Sequence, residues 1–293
     1  MAVLLGAVAY DPKVVTIWDG FRTWLRSNGV DFDYVLYSNY ERQVCDLVDG
    51  RIDVAWNSPL AWVRARRLAA SRQVPLTPVT MRDTDCDLRS VIVVRADSSV
   101  RSLGELAGRI VATGAVDSPQ ATLLPLSLLR GAGLEPGTDF ALRRFDIGVG
   151  LHGDHIGGER DAARALFAAD RADRVDAACM IDSNLLLFGR EGVLPAGAVR
   201  VLGQTPQYDH CTMTAGPSAR LRDGGLNPDI SRFGELLRGM DYADVSLRPL
   251  LDLEGLKEWR PPRLSGYDHL ERAVDEAGFY DDHGEITAAG YRP

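Results

Sequence analysis

Residues 3–59 read VLLGAVAYDPKVVTIWDGFRTWLRSNGVDFDYVLYSNYERQVCDLVDGRIDVAWNSP, and their rhythm decides the fold. VLLGAVAY is an unbroken apolar run that halts at Tyr10-Asp11-Pro12, as a buried strand does. Residues 14–29 carry apolar side chains at helical spacing and end on Gly29, which tolerates the left-handed position after a helix. DFDYVLYS (31–38) alternates like a half-buried strand, NYERQVCDLVDGR (39–51) returns to helical spacing, and IDVAWNSP (52–59) is a short buried strand with a turn. A helix over 60–71 and an extended segment over 75–82 continue the alternation. Strand–helix repetition of this kind predicts an α/β fold with mixed, mostly parallel sheets.

Working outward, RDTDCDLRS (82–90) interrupts the pattern, and a second α/β unit follows. SVIVVRADS, RIVATG, DFALRRFD, VDAACMIDSN and AVRVLGQT read as strands, the fourth ending in a turn. DSPQATLLPLSLLRGAG and ERDAARALFAADR read as helices between them. The tail from SRFGELLRGMDYAD (231–244) onward is helical with breaks. Two extended connections, near 81–90 and 203–214, would join the two units if the tail returns to the first.

The chain has 293 residues, 45% hydrophobic and 25% charged, with a net charge of −8. That length exceeds what one core usually supports and favours two lobes. An acidic chain lacks the basic stripe of a nucleic-acid binder. No stretch approaches the roughly 20 apolar residues of a membrane span, so no membrane insertion is expected. MAVLLGAVAYDPK is too short and too uncharged for a secretory leader, so a cytoplasmic location is expected, or a periplasmic one if a leader was removed. Cys45, Cys86, Cys179 and Cys211 form no C-x-x-C pair and read as reduced thiols, mostly small core residues.

The run LGAVAYDP…DFDYVLYSNYERQVCDLVDGRIDVAWNSPLAWVRA, then LRSVIVVRADSSVRSLGELAGRIVATG, DSPQATLLPLSLLRGAGLEPGTDF and GERDAARALFAADRADRVDAACM, resembles phosphate/phosphonate-type substrate-binding proteins of ABC importers over about residues 3–215. The resemblance implies the type 2 periplasmic-binding-protein fold: two α/β lobes, a two-strand hinge and a ligand cleft between the lobes. Lobe 1 would comprise residues 1–85 and 206–293, and lobe 2 residues 86–205. It also implies a small-molecule ligand, with an ABC permease as partner if the chain is exported. The family's Ser-Thr-Ser-Gly anion-binding run corresponds here to Ser118-Pro119-Gln120-Ala121, where Pro119 removes an amide donor. Its Ser-His-Asp is expanded to the stretch from His152 to Glu159. Enzymes also use this fold.

In such lobes ligands sit beyond the carboxyl ends of the strands. The candidates there are Tyr10; Trp56, Asn57 and Ser58; Asp117, Ser118 and Gln120; His152, His155 and Glu159; Asp182; and His210. His152, His155, Glu159 and His210 are residue types that donate to an anion, ligate a divalent metal or exchange protons. The plainer alternative is a helix cap by Asp154 or Glu159 with histidines bonded in the turn. On an extended segment His210 and Cys211 would face opposite ways. Asp182 is either a cleft carboxylate or a turn-former, Trp56 and Tyr10 either stack on a ligand or close the core, and Arg263 reads as solvated. Two functions follow: a protein that binds a small polar or anionic molecule between its lobes, or a cytoplasmic enzyme using His155, Glu159 and His210, with or without a metal.

Overall fold

The strand β1 (Val3–Val8) is buried along nearly its whole length, as a strand between parallel neighbours must be. Those neighbours are β2 (Phe32–Tyr37) and β3 (Val54–Asn57). β10 (Thr212–Ala215) runs antiparallel between β3 and β4 (Thr77–Arg82), and β11 (Trp259–Arg260) lies at the edge beside β4. The first sheet thus has the order β11-β4-β10-β3-β1-β2. The computed structural model describes residues 2–153 and 157–293.

The second sheet is built from β5 (Ser90–Arg95), β6 (Ile110–Thr113), β7 (Ala141–Arg144), β8 (Ala177–Ile181) and β9 (Val199–Gln204), in the order β7-β6-β8-β5-β9. β6 is parallel to β7 and β8, and β5 runs against both of its neighbours. Both sheets are therefore mixed, with most strands sharing one direction, as the sequence predicts.

The helices follow from their own patterns. α1 (Lys13–Ser27) buries Val14, Ile17, Trp18, Phe21 and Leu25, a single stripe at three- and four-residue spacing. α2 (Tyr40–Val48) is capped by Asn39, whose side chain accepts from the Arg42 amide at 2.9 Å. α3 (Pro59–Arg72) starts on Ser58 with proline at its first position. A wide π-helical turn at Pro119–Leu123 runs straight into α4 (Leu124–Gly131). α5 (Gly157–Ala165) and α6 (Asp182–Arg190) flank β8. The sequence reading ends the segment after β8 as a turn. It is a helix because Leu185 and Phe188 pack into the second sheet's core one helical turn apart.

The chain crosses between the sheets twice, between β4 and β5 and between β9 and β10. At the crossing Leu88 and Tyr208 exchange both backbone hydrogen bonds at 2.9 Å. This is the expected two-strand hinge. The helices α7 (Pro228–Arg238) and α8 (Arg248–Glu254) return to the first core with Phe233, Leu251 and the edge residue Trp259. The last helix, α9 (Asp268–Ala277), and the residues after it behave differently. Leu270, Val274, Tyr280 and Tyr291 pack in one cluster with Leu60 and Val63 of α3 and with Leu123 and Leu124 beyond the second sheet. The tail therefore lies against both halves of the molecule. Among the described residues no helix is long and apolar enough to cross a membrane.

Candidate ligand-binding site

Two strand ends are punctuated in the same way. Asn57-Ser58-Pro59-Leu60-Ala61 begins on the last residue of β3, and Asp117-Ser118-Pro119-Gln120-Ala121 follows β6. In each, the serine hydroxyl accepts the amide of the alanine three residues on, at 3.1 Å, and proline takes the first helical position. One serine-capped helix start thus belongs to each sheet. All of Asn57, Ser58, Asp117, Ser118 and Gln120 are buried.

His152 joins the two ends. Its Nδ1 lies 2.7 Å from Ser58 Oγ and its Nε2 lies 2.8 Å from Glu41 Oε1. The ring stacks on Tyr40, with centroids 4.8 Å apart. The backbone at His152 is left-handed (φ 49°), between Gly150 (φ 85°) and Gly153 (φ 75°). A non-glycine residue held there carries strain of about 1–2 kcal/mol, which the surrounding hydrogen bonds must outweigh. Asp117 supplies some of them: its Oδ2 accepts from Gly150 N at 2.6 Å and His152 N at 3.1 Å. Tyr280 and Tyr291 hydroxyls donate to Glu41 Oε1 at 3.0 and 2.9 Å, and Tyr291 also reaches Asp117 Oδ2 at 3.4 Å. Burial works against the Glu41 charge, but His152, Tyr291 and Arg64 outweigh it and hold the carboxyl below its ordinary range. Asp117, with burial dominant, is raised.

Ser58, His152 and Glu41 line up as a nucleophile, base and orienting acid would. Their surroundings give them another role. Ser58 and His152 are fully buried, Ser58 caps α3, and both ring nitrogens of His152 are engaged within the protein. His152 is therefore a clamp between the two sheets. The sequence reading offers His152 as a metal ligand or ligand contact; here both of its ring nitrogens are engaged by Ser58 and Glu41.

Glu159 sits on the first turn of α5, with 2% of its surface exposed. Its Oε2 accepts from Ile181 N and Asn184 Nδ2, both at 2.9 Å. Its Oε1 has no hydrogen-bond partner among the described residues. Burial pushes the carboxyl up to about 7, against smaller opposing effects of Asn184, the Ile181 amide, the Gln120 amide and His210. Gln120 donates Nε2 to Gly153 O at 2.6 Å, and its own Oε1 is unpartnered among the described residues. Gly153 must be glycine here, since a Cβ would fall 2.6 Å from Ser118 Oγ and 2.7 Å from Gln120 Nε2.

At the hinge, His210 and Cys211 do not face opposite ways as expected. His210 Nδ1 lies 3.1 Å from Cys211 Sγ and 3.6 Å from Asp85 Oδ1, because His210 precedes the regular alternation of β10. Asp85, His210 and Cys211 bring three metal-type donors together, all buried. Asp85, however, gives both carboxylate oxygens to Arg82, at 2.7 and 2.9 Å. Burial opposes that charge, but Arg82 and His210 hold the carboxyl down to about 2. A guanidinium already fills the cation's place. Neither His152 nor Glu159 belongs to this cluster.

The remaining candidates fall as follows. Trp56 is core: it meets Trp259 edge-on at 5.8 Å and lies beneath Arg82. Tyr10 packs half-buried on the first core, with Lys13 over its ring. Asp182 opens α6 and accepts from the Ser183 amide at 2.8 Å. Arg263 is partly solvated, as expected, but it also grips the buried Asp209 through Nε and Nη2 at 2.6 and 2.5 Å. Asp154 and His155 lie outside the described residues. Sequence reasoning passed over Glu41, Asp85, Tyr280 and Tyr291, which no motif flags. It also passed over the NSPLA/DSPQA pair, which a search for short repeats would find. A cavity of about 620 Å³ opens elsewhere, lined by Trp62, Arg66, Arg67 and Glu271, but its arginines are already paired with Glu271 at 3.2 and 2.9 Å.

Comparison with known proteins agrees with this layout. The sequence model for "ABC transporter, phosphonate, periplasmic substrate-binding protein" matches residues 7–267. PhnD1 from Prochlorococcus marinus, solved in complex with methylphosphonate, aligns with a TM-score of 0.67 at 19% identity, over 94% of this chain and 98% of its own. XAC2383 from Xanthomonas citri, solved bound to ATP, gives 0.65 at 16% identity, over 94% and 97%. The aliphatic sulphonate binding protein SsuA from Escherichia coli gives 0.52 at 18% identity, over 94% and 86%. At these identities the structures share the type 2 periplasmic-binding fold. With a family match over nearly its whole length, the chain belongs to the phosphonate-type periplasmic substrate-binding proteins of ABC transporters.

Proposed function

We propose that this chain captures a small polar molecule between its two sheets and presents it to an ABC permease. The lobes would be residues 1–85 with 206–293, and residues 86–205, bending at Leu88 and Tyr208, with the tail beyond residue 268 resting on both. The observation that carries the reading is that buried polar atoms beside the two serine-capped helix starts have no hydrogen-bond partner among the described residues. Asn57 Nδ2 lies at the end of β3 and Gln120 Oε1 in the turn after β6, with Glu159 Oε1 on the first turn of α5. Buried polar atoms are almost always satisfied, so an unsatisfied group of them at strand ends marks a place for a ligand. Membership in the family supports export to the periplasm and the permease partner. No arrangement among the described residues favours catalysis over binding.

The test is a crystal structure with whatever small molecule raises the melting temperature in a screen of polar metabolites. Density touching Asn57 and Gln120 is expected, together with a loss of affinity of at least tenfold in Gln120→Ala. A ligand seated elsewhere, or one indifferent to both side chains, refutes the reading.

A further inference from the structure

The last helix gives its two sides different work. Glu271 and Asp275 of α9 take Arg67 of α3 at 2.9 and 2.7 Å. His269 and Arg272, three residues apart and so on one face, make no hydrogen bond or ion pair among the described residues. They border a recess of about 350 Å³ between α9 and α4, closed at one end by Thr205 and Pro206 where the chain crosses from β9 to β10. That volume is within the range of ligand pockets, about 300–1,000 Å³. Leu103, Leu124, Leu128, Ala132 and Pro206 make its walls mainly apolar, and the buried Leu124 and Thr205 carry it into the fold.

No carboxylate lines this recess. In a chain of net charge −8 that is a departure, since four other recesses among the described residues each have at least one in their walls. The ordinary work of a base near a helix end is to bond its last carbonyls. At α4 that work is already done, because the amides of Ala132, Gly133 and Leu134 donate to the carbonyls of Leu128, Leu129 and Arg130. The lining residues Ser127 to Gly131 stand roughly two turns or more beyond Ser118, so the recess is apart from the strand-end turns. Its α9 wall begins at Asp268, just past the family match, which ends at residue 267.

We propose that this recess is a second binding site, for an aliphatic carboxylate. The hydrocarbon lies along Leu103, Leu124 and Leu128, and the carboxylate meets the permanent charge of Arg272, with His269 and Ser127 as further donors. An ion pair at an exposed rim is weak by itself, so the apolar wall supplies most of the affinity. The site does not depend on the ligand of the interlobe cleft.

Isothermal titration of the intact chain at pH 7 tests it, with butanoate, hexanoate and octanoate as probes and hexylamine and hexanol as controls of charge. Affinity is expected to rise about threefold for each added methylene and to be lost in the two controls. Arg272→Gln should weaken hexanoate at least fivefold. Leu128→Trp, which fills the recess and keeps the charge, should abolish its binding and gives a second test should either variant fold poorly. Hexanol or hexylamine binding as tightly as hexanoate overturns the ligand class. Hexanoate binding that survives in both variants, or that falls instead in Gln120→Ala, overturns the site. Silence from all three carboxylates defeats the proposal and leaves the cleft's role untouched.

Discussion

Ser58 Oγ lies 2.7 Å from His152 Nδ1, and through that contact the helix start behind β3 is fastened to the loop between β7 and α5. The fastening extends past the pair. His152 continues to Glu41, Glu41 takes the hydroxyls of Tyr280 and Tyr291, and Tyr291 reaches Asp117 on the other half. The two halves are joined by a buried polar chain whose middle link is one imidazole.

Replacing that link should be costly. In His152→Ala the buried Glu41 carboxylate keeps the Tyr280 and Tyr291 hydroxyls but loses its imidazole partner, a change worth about 1–3 kcal/mol. Urea denaturation should show a midpoint shift of that size with m unchanged. A loss under about 1 kcal/mol would mean that Glu41 is solvated or protonated without difficulty, and the clamp would be an incidental contact.

Tyr291 is two residues from the end of the chain, yet its hydroxyl serves two carboxylates from different halves. Tyr291→Phe should cost about 1–3 kcal/mol, the usual penalty for leaving a buried acceptor short of a donor. Amide exchange should rise around Gly150 and His152, which share Asp117 with the tyrosine. Unaltered exchange there would show that the tail does not communicate with the loop.

Much of the architecture was legible in the sequence and the polar chain was not, for a physical reason. Hydrophobic period and turn residues report on neighbours along the chain, so the strands of the first eighty residues, the helices between them and the crossover segments could be read directly. Glu41 and Asp85 read as ordinary charges on a helix and in a loop. What makes them special is burial against His152, Tyr280, Tyr291 and Arg82, contacts that mostly span many residues. His210 and Cys211 were misjudged because alternation was applied to the two residues that precede the strand enforcing it. Asp182, Ser183 and Asn184 favour turns by composition, and tertiary packing of Phe188 made them a helix instead.

Arg263 offers a cleaner test of geometry against charge. It holds Asp209 in a two-pronged grip, and the backbone of Gly266 is pressed against the same carboxylate, where a Cβ would fall 2.1 Å from Oδ2. Arg263→Lys keeps the charge and loses the fork. A destabilisation of about 1–2 kcal/mol is expected, the low end for bonds to charged groups because the arginine is partly solvated. If lysine proved neutral, charge alone would be holding the hinge-side loop.

Glu159 makes stability depend on pH in a direction opposite to carboxylates held by a basic partner, such as Glu41 and Asp85. Its folded carboxyl titrates at about 7, against 4.5 for an unrestrained glutamate. Below pH 4.5 the group is neutral in both states and its burial carries no ionic penalty. Between 4.5 and 7 the unfolded chain releases the proton while the folded chain keeps it, so stability falls by up to 1.4 kcal/mol per pH unit, about 3 kcal/mol in all. Above 7 the decline stops, because both states are ionised. The groups facing it are Asn184, Gln120, His210, Cys179 and Tyr208. Glu41 and Asp85 act in the opposite sense, since their lowered folded values add stability that is lost on acidification. Glu159→Gln isolates the effect. The difference in unfolding free energy, variant minus wild type, should be small near pH 4.5 and grow by about 3 kcal/mol by pH 8. A difference that stays flat across that window would show Glu159 ionised throughout, and the carboxyl would then stand in water or beside an unrecognised cation.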